Sequence, residues 1–79
     1  MKVQILGVGC PKCRQLEANT KEALRLLGMN DPVEKVTDIR EIMKFGVMMT
    51  PALAINGKVA LSGKVASPAE IQTAITSAL

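Results

Sequence analysis

Lys2-Val3-Gln4-Ile5-Leu6-Gly7-Val8-Gly9-Cys10-Pro11-Lys12-Cys13 is the stretch from which the rest of the chain can be placed. Met1 to Leu6 is short and apolar, as a buried central strand would be. Gly7-Val8-Gly9 is a flexible approach. Beyond Cys13, Leu16, Thr20, Ala23, Leu24 and Leu27 recur on one helical face, and Gly28 supplies the stop. The only two cysteines of the chain therefore stand where a strand hands over to a helix. Two thiols at this spacing on a first helical turn can close a disulfide ring without moving the backbone. The unpaired N–H groups and the positive dipole end favour a thiolate at Cys10, and Lys12 and Arg14 add charge of the same tendency. Pro11 suits the first helical position, where an N–H would have no partner. These residues read as a reactive dithiol.

The remaining punctuation is local and strong. Asn30-Asp31-Pro32 is a turn, and Pro32 to Val36 a second strand. Thr37 or Asp38 caps a short helix carrying Ile39, Ile42 and Met43. With Asp38 as the cap, Glu41 takes the reciprocal capping-box position, and Gly46 ends the helix. Val47-Met48-Met49-Thr50-Pro51 leads into a third strand, Ala52 to Ile55. Asn56-Gly57 is a hairpin turn whose two residues tolerate positive φ, so Lys58 to Ser62 pairs back as a fourth strand. After the Gly63-Lys64-Val65 loop, Ser67-Pro68-Ala69-Glu70 is a complete helix start, and Ile71, Ala74, Ile75 and Ala78 share one face. The order is βαβαββα. Its first half is a right-handed parallel βαβ unit, and helices must cover both faces of the resulting four-stranded mixed sheet.

Composition bounds the function. With 79 residues, 48% hydrophobic and 22% charged, the chain predicts one domain spanning 1–79. Phe45 is its single aromatic, so the core is built from aliphatic residues and methionine. The net charge of +3 is scattered, and no aromatic platform is available to stack bases, which argues against nucleic-acid binding. No apolar leader precedes the first strand, and no apolar run nears the roughly 18 residues that span a bilayer. A cytoplasmic monomer, away from membranes and nucleic acid, is expected.

The cysteines have other readings. They could be buried structural thiols, although a helix N-terminus is an electropositive and partly open place. They could hold a soft metal such as copper(I). Zinc wants four ligands, and the chain has no histidine. Small metal-associated domains with this cysteine spacing end on a strand, whereas this chain ends on a helix. An adaptor of the same fold with a vestigial dithiol is a third possibility.

Cys10-Pro11-Lys12-Cys13 after strand one, Thr50-Pro51 before strand three and Asn56-Gly57 in the hairpin together resemble a minimal thioredoxin or glutaredoxin fold. More closely, they resemble the small thioredoxin-like redox-active disulfide proteins of archaea and bacteria. The resemblance covers essentially the whole chain and implies an α/β thiol–disulfide oxidoreductase. It implies that Cys10 attacks, that Cys13 resolves, and that Pro51 is cis and packs beside the disulfide. It also implies that Gly63 lets a substrate backbone approach. Pro11, Lys12, Met49, Thr50 and Pro51 join Gly63 as expected substrate contacts. Typical thioredoxins have a tryptophan where Gly9 stands, and Lys12 replaces the tyrosine usual in glutaredoxins. No cofactor or metal is expected. The partners would be a disulfide-containing protein and an external reductant, either a reductase or a low-molecular-weight thiol. Met48 and Met49 are either an adaptable apolar rim or core filler. Glu17, one turn beyond Cys13, is either a solvated helix acid or a proton-transfer partner of the dithiol.

Overall fold

The computed structural model describes residues 1–79, arranged as β1 (Val3–Leu6), α1 (Pro11–Leu26), β2 (Val33–Val36), α2 (Ile39–Lys44), β3 (Ala52–Ile55), β4 (Lys58–Ser62) and α3 (Pro68–Ser77). The sheet order is β2-β1-β3-β4, with β1 parallel to β2 and antiparallel to β3, and β4 antiparallel to β3. The fold class is the one expected: a mixed four-stranded sheet with helices on both faces.

Side-chain alternation along the strands decides which helix covers which face. Val3 and Ile5 of β1 join Leu53 and Ile55 of β3 under α1 and α3, in a core completed by Leu16, Ala23, Leu24, Ala66, Ile71 and Ile75. Leu6, Ala52 and Ala54 point the other way and meet Ile42 of α2. That second face is thin because α2 has only 6 residues. Gln4 lies on it, 7% exposed, and donates to Glu34 at 3.3 Å while its Oε1 finds no partner.

The caps follow from backbone chemistry. Gly28, at φ +71, closes α1 with Gly28 N–H on Arg25 O and Met29 N–H on Leu24 O, a Schellman pair that satisfies two end carbonyls. The helix itself stops at Leu26, so Leu27 is its half-in cap rather than its last turn. Asn56 and Gly57 both have positive φ, as the tight hairpin requires. Ser67 and Glu70 form the reciprocal capping box of α3. The expected box at α2 does not form. Asp38 is the cap, but it accepts from Arg40 N–H, and Glu41 turns outward to Lys44 at 3.2 Å. Of the three apolar residues of α2 only Ile42 is buried; Ile39 and Met43 are 60% and 68% exposed.

Candidate active site

Cys10 ends the loop after β1 in an extended conformation, φ −70° and ψ 164°, and is the N-cap of α1. Its sulfur does the work an oxygen does in an ordinary cap: Sγ accepts from the Cys13 N–H at 3.2 Å. Pro11 occupies the first helical position, and Lys12 after it is exposed. One turn in, Cys13 turns toward the sheet and is 5% exposed, whereas Cys10 is only half-buried. Both are free thiols, with their sulfurs 2.6 Å apart.

This asymmetry separates the two acidities. The Cys13 side-chain hydrogen bond lowers the Cys10 thiol, and the Cys13 backbone N–H lowers it further against a small opposing effect of burial. Burial raises the Cys13 thiol, and the neighbouring Cys10 sulfur raises it again. The half-exposed sulfur is thus the more acidic of the two, and the buried one holds its proton more tightly.

Gly7 is more than a flexible approach. A Cβ there would collide with the Cys13 Sγ, so the residue clears the space the buried sulfur occupies. Pro51 Cα lies 4.0 Å from that same Cβ position, which sets Pro51 beside the dithiol. The Thr50–Pro51 peptide is cis, Pro51 is buried, and its carbonyl accepts from Gly63 N–H at 2.9 Å. Thr50 is exposed, and no backbone–backbone hydrogen bond involves it. The α2–β3 loop and the dithiol loop thereby converge at one end of the sheet.

Two expectations change here. The ground beside Gly63 is not open, because a Cβ there would meet Met49 Cβ at 3.2 Å and its sulfur at 3.4 Å. Met49 folds over the glycine while remaining 63% exposed. Met48 is 97% exposed, so neither methionine is core filler. Met48 joins Val8, Ile39 and Met43 along an apolar groove of about 270 Å³ that Thr50 also lines, while Met49 lies over Gly63. Nor is Glu17 a solvated helix acid. Its side chain is 14% exposed and lies 3.2 Å from Lys21 and 3.9 Å from Lys35 of β2. It lines a cavity of about 310 Å³ on the sheet side of Cys13. The two sulfurs are not joined by a third histidine, cysteine or carboxylate in a cluster that could hold a metal ion.

A family model described as a thioredoxin domain matches residues 1–76. A thioredoxin of Methanothermobacter thermautotrophicus is 40% identical over 72 residues, which is 91% of this chain and 94% of the relative. A thioredoxin of Methanocaldococcus jannaschii is 39% identical over 77 residues, covering 98% of this chain and 88% of its own. A probable thioredoxin of Archaeoglobus fulgidus is 33% identical over a shorter span of 54 residues.

Proposed function

The chain belongs to the thioredoxin-domain family, and on that premise we propose that it reduces disulfides of protein substrates with Cys10 as nucleophile and Cys13 as resolving thiol. One observation carries the reading: a half-exposed Cys10 sulfur caps α1 by accepting from the Cys13 N–H, with the buried Cys13 sulfur directly beside it. The Cys10 thiolate attacks one sulfur of a substrate disulfide. A Cys10–substrate bond forms, the substrate bond breaks, and the departing sulfur takes the electron pair. Cys13 then gives up its proton and attacks Cys10 Sγ. The Cys10–Cys13 bond forms and the second substrate thiolate leaves, so the substrate is reduced by two electrons and the dithiol oxidised by two. An external reductant, a reductase or a small thiol, restores the dithiol.

The surroundings support this division of labour. Thr50 has its backbone N–H and C=O free at the rim, where an extended substrate can add in β-fashion. Pro11, Lys12, Pro51 and the Met49-covered Gly63 complete the contact surface, and the adjacent apolar groove suits the side chains flanking a substrate cysteine. Methionine is fitted to such varied contacts because its side chain is unbranched and adaptable. No helix is long and apolar enough to cross a membrane. We place the activity in the cytoplasm, in a monomer, because a lone dithiol is kept reduced there.

The test is insulin reduction with a stoichiometric reductant, together with trapping. Cys13→Ser should accumulate a mixed disulfide between Cys10 and substrate, and Cys10→Ser should accumulate none. Loss of neither activity nor trapping specificity in these variants would remove the dithiol from the mechanism.

A further inference from the structure

The surface around the dithiol holds more positive charge than its own carboxylates neutralise. Lys12 and Arg14 stand in the first turn of α1, both exposed, and the Arg14 backbone N–H donates to the Cys10 carbonyl at 3.1 Å. Neither side chain has an ion-pair partner. The other charges at this end of the sheet are compensated. On α2 and its cap, Asp38 and Glu41 stand against Arg40 and Lys44. Lys64, next to Gly63, is bonded to Glu70. Glu17 is the one carboxylate in the first two turns of α1, and Lys21 and Lys35 already share it. Glu34 lies on the opposite face of the sheet and accepts from Gln4. Lys2 and Lys58 are also unpaired, but they belong to the far end of the sheet, where Val3 pairs with Ile55 and Ile55 with Lys58.

We infer that the chain selects, among disulfide proteins, those whose reacting cysteine is flanked by acidic residues, with Lys12 and Arg14 as the specificity-determining side chains. The inference rests on the dithiol reading above and adds a substrate class to it. A segment that brings its cysteine to Cys10 Sγ lays the neighbouring residues against the first turn of α1. Aspartate or glutamate there meets two cations with no carboxylate of their own, whereas lysine or arginine meets like charge. No carboxylate on this helix is left to hold a basic segment, since Glu17 is only 14% exposed and faces two lysines. The apolar groove beside Val8 and Met48 has no charged residue in its lining, so it sets no preference of sign. Because Lys12 and Arg14 are exposed, they act on encounter and register more than on residence, and salt weakens them.

The probes are disulfide-linked dimers of one peptide, made with glutamate, glutamine or lysine on both sides of its cysteine. Dithiothreitol, whose attacking thiolate carries the same charge as that of Cys10, reports the intrinsic reactivity of each disulfide. The second-order rate constant of the reduced protein is divided by it. In about 0.01 M salt, where charges act over about 30 Å, the glutamate peptide should react about 5-fold faster than the glutamine one, and the lysine peptide slowest. In about 1 M salt, where that range falls to about 3 Å, the three should converge. Lys12→Gln with Arg14→Gln should bring the glutamate-to-glutamine ratio near unity. A ratio taken within one variant is independent of any change in the reactivity of Cys10 itself. Lys12→Glu with Arg14→Glu should reverse the order. Equal normalised rates for the three peptides at low salt overturn the inference, and so does a glutamate preference that survives the double glutamine substitution. The salt series uses the unaltered protein and decides the matter even where a variant fails to fold. A parent protein that reduces none of the peptides overturns the dithiol reading and this inference with it; one that reduces all three alike overturns the inference alone.

Discussion

At the scale of single residues, two cysteines three positions apart are given opposite chemistry by where their sulfurs point. Cys10 Sγ faces the helix-end N–H groups and solvent; Cys13 Sγ packs against Gly7 and is largely buried. Iodoacetamide should therefore modify Cys10 well before Cys13 at pH 7, since the thiolate is the reactive species. Its rate should inflect below the ordinary thiol value of about 8.5. Equal rates, read by mass spectrometry of the peptides, would contradict this asymmetry. Gly7→Ala tests that packing from the other side. The added methyl has to displace the Cys13 sulfur, and overpacking of a tight core site typically costs about 1–3 kcal/mol. Denaturant midpoints should fall accordingly, and the ease with which Cys13 closes on Cys10 should fall with them. A Gly7→Ala protein of parent stability and parent disulfide-closing rate would mean the backbone yields there at no cost.

The elements differ in how openly their sequence announces them, and the difference is physical. α3 and the β3–β4 hairpin were legible because Ser67-Pro68-Ala69-Glu70 and Asn56-Gly57 carry their own partners within a few residues. The start of α1 was legible for the same reason, through Pro11 and the cysteine pair. What escaped depends on distant chain. Gly7 is fixed by a sulfur on the next element and Glu17 by a lysine on β2. Cys10 as a cap is absent from the usual run of oxygen-bearing caps. Glu41 misled because a nearby Lys44 out-competed the cap it was assigned. Pro51 beside the dithiol was implied only by resemblance. The α3 cap yields its own expectation. Ser67→Ala should cost about 1 kcal/mol of stability, read in urea. Glu70 is held below the usual glutamate range by its Lys64 hydrogen bond and by the Ser67 N–H. A depressed carboxyl stabilises the fold above its unfolded value and loses that contribution as pH falls through the folded one. Glu70→Gln should flatten that part of the acid limb, and an unchanged acid limb would dismiss the cap as a contributor.

For the molecule as a whole, the dithiol ties redox state to stability. The ring closed by Cys10 and Cys13 spans so few residues that loop entropy alone gives only about 2 kcal/mol, and the two hydrophobic layers stand without it. Reduction should therefore leave a folded protein. The stability difference between oxidised and reduced forms should also vary with pH in a defined way. In the reduced fold Cys10 is lowered and Cys13 raised, relative to the same thiols unfolded. From the folded value of Cys10 up to the ordinary thiol range, the unfolded chain binds a proton at Cys10 that the fold does not, so reduced-state stability rises with pH. Above that range the fold retains the Cys13 proton that the unfolded chain has lost, and stability falls again. The reduced protein should thus be most stable near pH 8.5, about the unperturbed thiol value. The oxidised protein has neither thiol and carries no such maximum. Denaturant unfolding of both forms from pH 6 to 10 reads the gap directly, and it should be narrowest near the thiol value. A gap that stays constant with pH would mean that each sulfur titrates in the fold as it does in the unfolded chain, and the division into attacking and resolving thiols would lose its physical basis.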